Sequence, residues 1–211
     1  MRISFCALAC LILPAGLTGA EEILVPAGEQ TEWRYLESGA APGENWNSSD
    51  FDDSGWRKGT APLGYGKEGL GTVIRFGDDP ANKPITAYFR KTFKVGPAEK
   101  HDFAELGLSA TYDDGVAIYL NGKEVARDNL EAGKLTARSR ATRAIRESSE
   151  LSIKIPVARL KYGALNTIAV EVHQAGPTSS DLYLDLKLSG LEEGEKPVLD
   201  PYREGMRALQ R

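Results

Sequence analysis

The 211 residues carry 26 Lys and Arg against 30 Asp and Glu, a formal net charge of −4 at pH 7, with 41 % hydrophobic and 8 % aromatic residues. A mildly acidic chain without a basic run is a poor candidate for binding nucleic acid or an anionic membrane. Its two cysteines, Cys6 and Cys10, both precede the first strand pattern, so the rest of the chain has no disulfide, no thiolate nucleophile and no cysteine-ligated metal.

Arg2, an apolar run over 3–17 broken by Pro14, and Thr18-Gly19-Ala20 ahead of Glu21-Glu22 read as a secretory signal peptide, residues 1–20, cleaved after Ala20. The run is too short to span a membrane, and no other apolar stretch approaches that length. A secreted or periplasmic protein is expected. Ala7-Leu8-Ala9-Cys10 loosely resembles a lipobox but lacks Leu at its first position, which makes a lipoprotein the lesser reading. Residues 21–191 suit one domain with a full core, since domains commonly run to about 100–200 residues.

From there the pattern is period-2 alternation, with strands expected over 31–36, 72–76, 87–95, 103–110 and 116–120. The last of these enters an Asn121-Gly122 turn, the commonest type I′ hairpin signal, and a partner strand leads to Arg127. Further strands follow over 151–155, 167–173 and 182–188, the last with leucine at every second position. Eight or nine such half-buried strands, separated by Gly, Pro, Asn and Asp clusters, predict an all-β fold: an antiparallel β-sandwich or jelly roll. The irregular segments are 39–65, which holds Trp46, Phe51 and Trp56, and the polar 128–150, whose arginines at 138, 140, 143 and 146 read as a solvated loop balanced by Glu131, Glu147 and Glu150. Composition shifts again after Leu191, and 192–211 reads as a linker with a short C-terminal helix or tail.

Trp33, Tyr35, Trp46, Phe51-Asp-Asp-Ser-Gly-Trp56, Ala61-Pro-Leu-Gly-Tyr-Gly66, Tyr88-Phe-Arg-Lys-Thr-Phe93, Asp113-Asp-Gly115, Tyr119-Leu-Asn-Gly122, the run 166–174 and Ser179-Ser-Asp-Leu182 follow one another in an order that resembles the galactose-binding-like jelly rolls of secreted bacterial proteins. More distantly, they resemble the sugar-binding domain at the front of family 2 glycoside hydrolases. The resemblance covers nearly all of the chain after the leader. It implies a secreted, non-catalytic carbohydrate-binding module or accessory domain, with a structural or protein-docking sandwich as the alternative and a diverged hydrolase behind both. The partner implied is a polysaccharide or glycan, or another secreted protein. Many members of the family carry a structural calcium, usually held by loops near the first strands and the last one, and no other cofactor is expected.

The residues offer their own candidates. Asp113 and Asp114, beside Gly115, either supply oxygen ligands to a calcium ion or cap a turn by accepting backbone N–H groups. His173 sits on the strand face opposite Ile168, Val170 and Val172, together with Glu171, and with Ser179, Ser180 and Asp181 it can form a polar patch for sugar hydroxyls or fix the 174–181 loop. A Ser, His, Asp trio is present by type, yet no Gly-x-Ser-x-Gly elbow accompanies it. Arg90 is expected to pair with Asp113 or Asp114 through its fork of donors. Trp33, Trp46, Trp56, Tyr35 and Tyr88 are expected in the core, whereas Tyr65, flanked by Gly64 and Gly66, is the aromatic expected at the surface for stacking on a sugar ring.

Overall fold

The computed structural model describes residues 20–192, with 30 and 38 excepted. The residues 1–19 of the expected signal peptide, and the helix expected near the C-terminus, lie outside the described residues. Within them the chain forms β1 (Glu21–Val25), β2 (Glu32–Leu36), β3 (Arg57–Thr60), β4 (Leu63–Tyr65), β5 (Thr72–Val73), β6 (Thr86–Lys94), β7 (Phe103–Asp113), β8 (Gly115–Leu120), β9 (Lys123–Asp128), β10 (Ser149–Pro156), β11 (Leu165–His173) and β12 (Leu182–Glu192). No described helix is long and apolar enough to cross a membrane.

Two six-stranded sheets face each other. The first runs β10-β7-β12-β4-β5, with β1 sharing the far edge of β12, and the second runs β3-β2-β6-β11-β8-β9. Every pairing is antiparallel except that of β4 with β5. The expected sandwich is therefore present, with more strands than the alternation showed. The additional strands β1, β3 and β4 are short, and Arg57-Lys-Gly-Thr60 has no apolar period at all. They exist because a longer neighbour offers an open edge: β3 pairs with β2, while β1 and β4 pair with opposite ends of β12. Conversely, the strand expected over 72–76 shrinks to β5.

The core lies where the alternation put it. Leu182, Leu184, Leu186 and Leu188 of β12 meet Val116, Ile118 and Leu120 of β8 and Ile168, Val170 and Val172 of β11, all buried in one cluster with Trp33, Phe89, Leu106 and Leu108. Burying each such aliphatic or aromatic side chain contributes about 1.5–3 kcal/mol. Asn121 and Gly122 both take positive φ, 52° and 81°, as a type I′ turn requires, and close the β8–β9 hairpin.

The half-buried strands expected at the centre of the second sheet are buried on both faces. β6 and β11 carry Thr86, Tyr88, Arg90, Thr167, Glu171 and His173 on the face away from the core, and all six are buried. Two loops, residues 39–56 and 128–148, cover that face. Polar groups enclosed in this way call for partners, and the pairings that most of them find build the site described below, Thr167 Oγ1 being left without one.

A glycine fixes the junction between β4 and β12. A Cβ on Gly64 would lie 1.9 Å from the Leu182 carbonyl oxygen, a backbone atom that cannot step aside, whereas a Cβ on Gly55 would meet nothing within 4 Å. Gly64→Ala is expected to lower unfolding free energy by roughly 1–3 kcal/mol or more in urea titrations, and Gly55→Ala to stay within about 0.5 kcal/mol of wild type.

Candidate functional site

Arg90 organises one side of the covered face. Projecting outward from β6 and only 1 % exposed, it donates from Nε to Asp53 Oδ2 at 2.8 Å, from Nη1 to the carbonyls of Trp46 and Ser48, the latter at 3.0 Å, and from Nη2 to the carbonyl of Phe51 at 3.4 Å. Its guanidinium also lies over the Phe51 ring, 5.1 Å from the centroid. The expected pairing with Asp113 or Asp114 is corrected: Arg90 lies in mid-strand in the second sheet, while Asp113 is opposite Tyr183 at one end of the first. Held by these bonds, the 39–56 loop lays Trp46 edge-on against Tyr88 (4.9 Å between centroids) and Tyr119 (5.6 Å), with Trp56 stacked on its other side.

Asp114 and His173 hold the opposite loop. Asp114 Oδ1 accepts the N–H of Ile145 at 2.6 Å and Oδ2 that of Ala175 at 2.8 Å, so its carboxylate caps backbone groups. Asn129 adds four bonds across the loop, to Asp114, Thr142 and Arg143. The ring of His173 is fully buried. Its Nδ1 lies 2.7 Å from the carbonyl oxygen of Ser139 and 2.9 Å from Thr86 Oγ1, which itself donates to the carbonyl of Ala137. A carbonyl only accepts, so Nδ1 carries a proton. Nε2 faces Glu171 Oε2 at 3.1 Å, an ion-pair distance without hydrogen-bond alignment.

Between the loops opens a cleft of about 680 Å³, within the range of about 300–1,000 Å³ typical of small-molecule sites. Tyr88, Tyr119 and Glu171 form its floor, Trp46 and Glu44 stand on one wall, and Lys134 to Ala137 with Arg127 and Glu124 stand on the other. The floor follows from register: Glu171 of β11 is directly opposite Tyr88 of β6, and Tyr119 reaches across from β8 to donate to Glu171 Oε1 at 2.6 Å. Burial first, then the neighbouring Glu171 carboxylate, raises both phenols above their ordinary pKa, which keeps them protonated as donors. Arg127 grips Glu124 with Nε and Nη2 at 2.9 and 2.7 Å, and its Nη1 donates to the carbonyls of Glu131 and Gly133.

The residues singled out from the sequence fall in other places. Tyr65, expected at the surface, is 4 % exposed; its ring packs on Phe76 at 4.9 Å with the Lys83 ammonium nearby, because Gly66 lets the strand lie against Ser180 and Asp181. Asp113 is wholly buried, and Lys67 bridges it to Asp181 at 3.0 and 2.9 Å. Ser180 donates to Asp181 at 2.8 Å, Ser179 turns toward the backbone oxygen of Asp181, and the carbonyl of Ser179 accepts from Lys83. The polar trio is thus split, with His173 held by Thr86, Ser139 and Glu171. For calcium the fit is poor: a lysine ammonium stands beside Asp113, both Asp114 oxygens accept backbone N–H groups, and no group of three or more His, Cys, Asp or Glu among the described residues converges on a metal position. Of the cleft residues, Tyr119, Glu124 and Arg127 were not singled out from the sequence as ligands; Trp46 and Tyr88 carry stacking faces but were expected in the core, and Glu171, with His173 on one strand face, pointed to the right surface.

No protein-family model matches the chain, and no curated protein matches it. Among solved structures, Bacteroides uniformis β-glucuronidase 2, covalently bound to cyclophellitol-6-carboxylate aziridine, is similar with a TM-score of 0.52 at 16 % identity, over 82 % of this chain and 18 % of that one. Ruminococcus gnavus β-glucuronidase in complex with D-glucuronic acid also gives a TM-score of 0.52, at 13 % identity, over 86 % of this chain and 31 % of that one. The chain shares its fold with a part of these enzymes. That bears out, at the level of fold, the resemblance to a domain of family 2 glycoside hydrolases, and the chain spans less than a third of either enzyme.

Two outcomes follow from the buried charges. Replacing Arg90 with Met removes the donor that Asp53 and three loop carbonyls share, although Arg34 Nε stays 3.9 Å from Asp53, and leaving buried acceptors unsatisfied costs about 1–3 kcal/mol; chemical denaturation should show a loss of this order, with increased Trp fluorescence quenching by acrylamide as the 39–56 loop lifts. Burial, ahead of every other influence, pushes Asp113 up to about 7, while an unfolded aspartate titrates near about 3.9. The native state therefore holds this proton more tightly, so the contribution of Asp113 to stability is greatest at acid pH and is withdrawn as pH rises from about 4 to about 7. Wild type should lose stability relative to Asp113→Asn over that window in melting experiments, and parallel pH profiles would contradict it.

Proposed function

We propose that this chain is a non-catalytic carbohydrate-binding module or accessory domain that takes its ligand in the cleft on the outer face of the second sheet. The observation that carries this reading is the combination of an aromatic floor and wall, Tyr88, Tyr119 and Trp46, with the single floor carboxylate of Glu171. Sugars present apolar C–H faces ringed by hydroxyl donors. An aromatic surface receives the faces, and a carboxylate and neighbouring carbonyls accept from the hydroxyls.

The rigidity of the walls supports binding rather than a moving catalytic loop. Arg90 fixes one wall, while Asp114, Asn129 and His173 fix the other, so little conformational entropy remains to be lost when a ligand enters. The hydrolase alternative rests on His173, whose imidazole is occupied by Ser139, Thr86 and Glu171 rather than by Ser179 or Ser180. The leader-like segment over 1–20 favours a role outside the cytoplasm.

Affinity electrophoresis through gels containing soluble neutral polysaccharides tests the reading. Wild type should be retarded by at least one of them, and Trp46→Ala should lose affinity by roughly tenfold or more, as truncation of a central aromatic anchor does. Val73→Ser, at a 70 % exposed position in the other sheet, should migrate as wild type. If no glycan retards the folded protein, the structural or protein-docking sandwich becomes the better description.

A further inference from the structure

Resting on the carbohydrate reading of this cleft, we infer that its ligand is an uncharged sugar and that the site discriminates against the corresponding uronic acid. The basis is the balance of charge on the floor and walls. Five ionisable acidic and basic side chains line the cleft: Glu44, Glu124 and Glu171 against Arg127 and Lys134.

Arg127 is the only guanidinium among them, and its donors are committed. Nε and Nη2 form a fork with Glu124, and Nη1 serves the Glu131 and Gly133 carbonyls. It ties β9 to the 128–148 loop and has no paired donors to offer a ligand carboxylate, which is the geometry that recognises one. Lys134 is exposed, as is Glu44 on the facing wall, so the two rim charges offset each other and are screened by salt.

Glu171 is different, being buried in the floor with Tyr119 donating to one oxygen and His173 beside the other. Each carboxylate oxygen can accept more than one hydrogen bond. The floor therefore presents acceptor capacity to hydroxyl donors and like charge to a sugar carboxylate. That repulsion comes from a carboxylate enclosed at the base of the cleft, and rejecting a close analogue by setting like charge against it is a general source of specificity. The preference would set this cleft apart from a site built around glucuronate.

The test is an NMR titration of the whole protein with methyl β-D-glucopyranoside and methyl β-D-galactopyranoside, each against its C6 carboxylate. The expected result is binding of at least one neutral glycoside, with its uronate weaker by roughly tenfold or more, and a preference that falls to about parity in Glu171→Gln, whose amide oxygen can still accept from Tyr119. Glu44→Lys, a change at an exposed rim position with little risk to folding, should narrow the preference. Equal or tighter binding of the uronate by wild type overturns this inference and leaves the carbohydrate reading standing; absence of binding by every glycoside and by the polysaccharides overturns both.

Discussion

A guanidinium buried on the outside of a β-sheet is the constraint on which the second half of this structure depends. Arg90 lies mid-strand on β6, on the face that would be wet in a simple sandwich, and a charge there is tolerable only if its hydrogen bonds are satisfied. The 39–56 loop provides for that with the Asp53 carboxylate and the carbonyls of Trp46, Ser48 and Phe51. Because three of those acceptors are backbone atoms, satisfying the charge also dictates the path of the loop. The positions of Trp46, Phe51 and Trp56 follow from it. Trp46 and Trp56, expected in the core, are instead half-buried with Phe51 in an aromatic cluster on the outer face, organised by one polar side chain.

His173 and Asp114 solve the same problem at the other end of the sheet. Neither is free to act on a ligand, since the imidazole and the carboxylate are both spent on the 128–148 loop. Together with Asn129 they convert a polar segment lacking any apolar period into a fixed wall. The cleft is what remains between two loops that are each tied down separately. Its floor is part of the same polar layer, with Glu171 linking His173 to Tyr119. A cleft assembled on strands and backed by buried hydrogen bonds is held in one shape by the fold itself.

Likeness to β-glucuronidases places the fold among domains found within large sugar-processing enzymes, and the chemistry has to be read from the surface. That surface differs from what alternation alone suggests. At the centre of the second sheet both faces are buried, one against the apolar core and the other, which carries polar residues, under loops. The first sheet follows the simpler rule, with Leu182, Leu184, Leu186 and Leu188 inward and Tyr183, Asp185 and Lys187 partly exposed between them.

The sequence by itself determined the sandwich, the inward rows of β8, β11 and β12 and the Asn121-Gly122 hairpin, because period-2 burial and a turn needing positive φ are local properties written in adjacent residues. It also placed Glu171 and His173 on one outward face, while leaving Asp114 open between a calcium ligand and a local turn cap, neither of which foresaw its bonds to the distant N–H groups of Ile145 and Ala175. The partners of Arg90 and His173, the burial of Tyr65 and the existence of the cleft were decided only by tertiary structure. Asp53 lies 37 residues from Arg90 and Ser139 lies 34 from His173, with no period linking either pair. Which of several acidic residues meets a given arginine is set by sheet register and loop path, and so is the choice of which aromatic residues line a cavity. Those are long-range choices made when the two sheets close on their shared core.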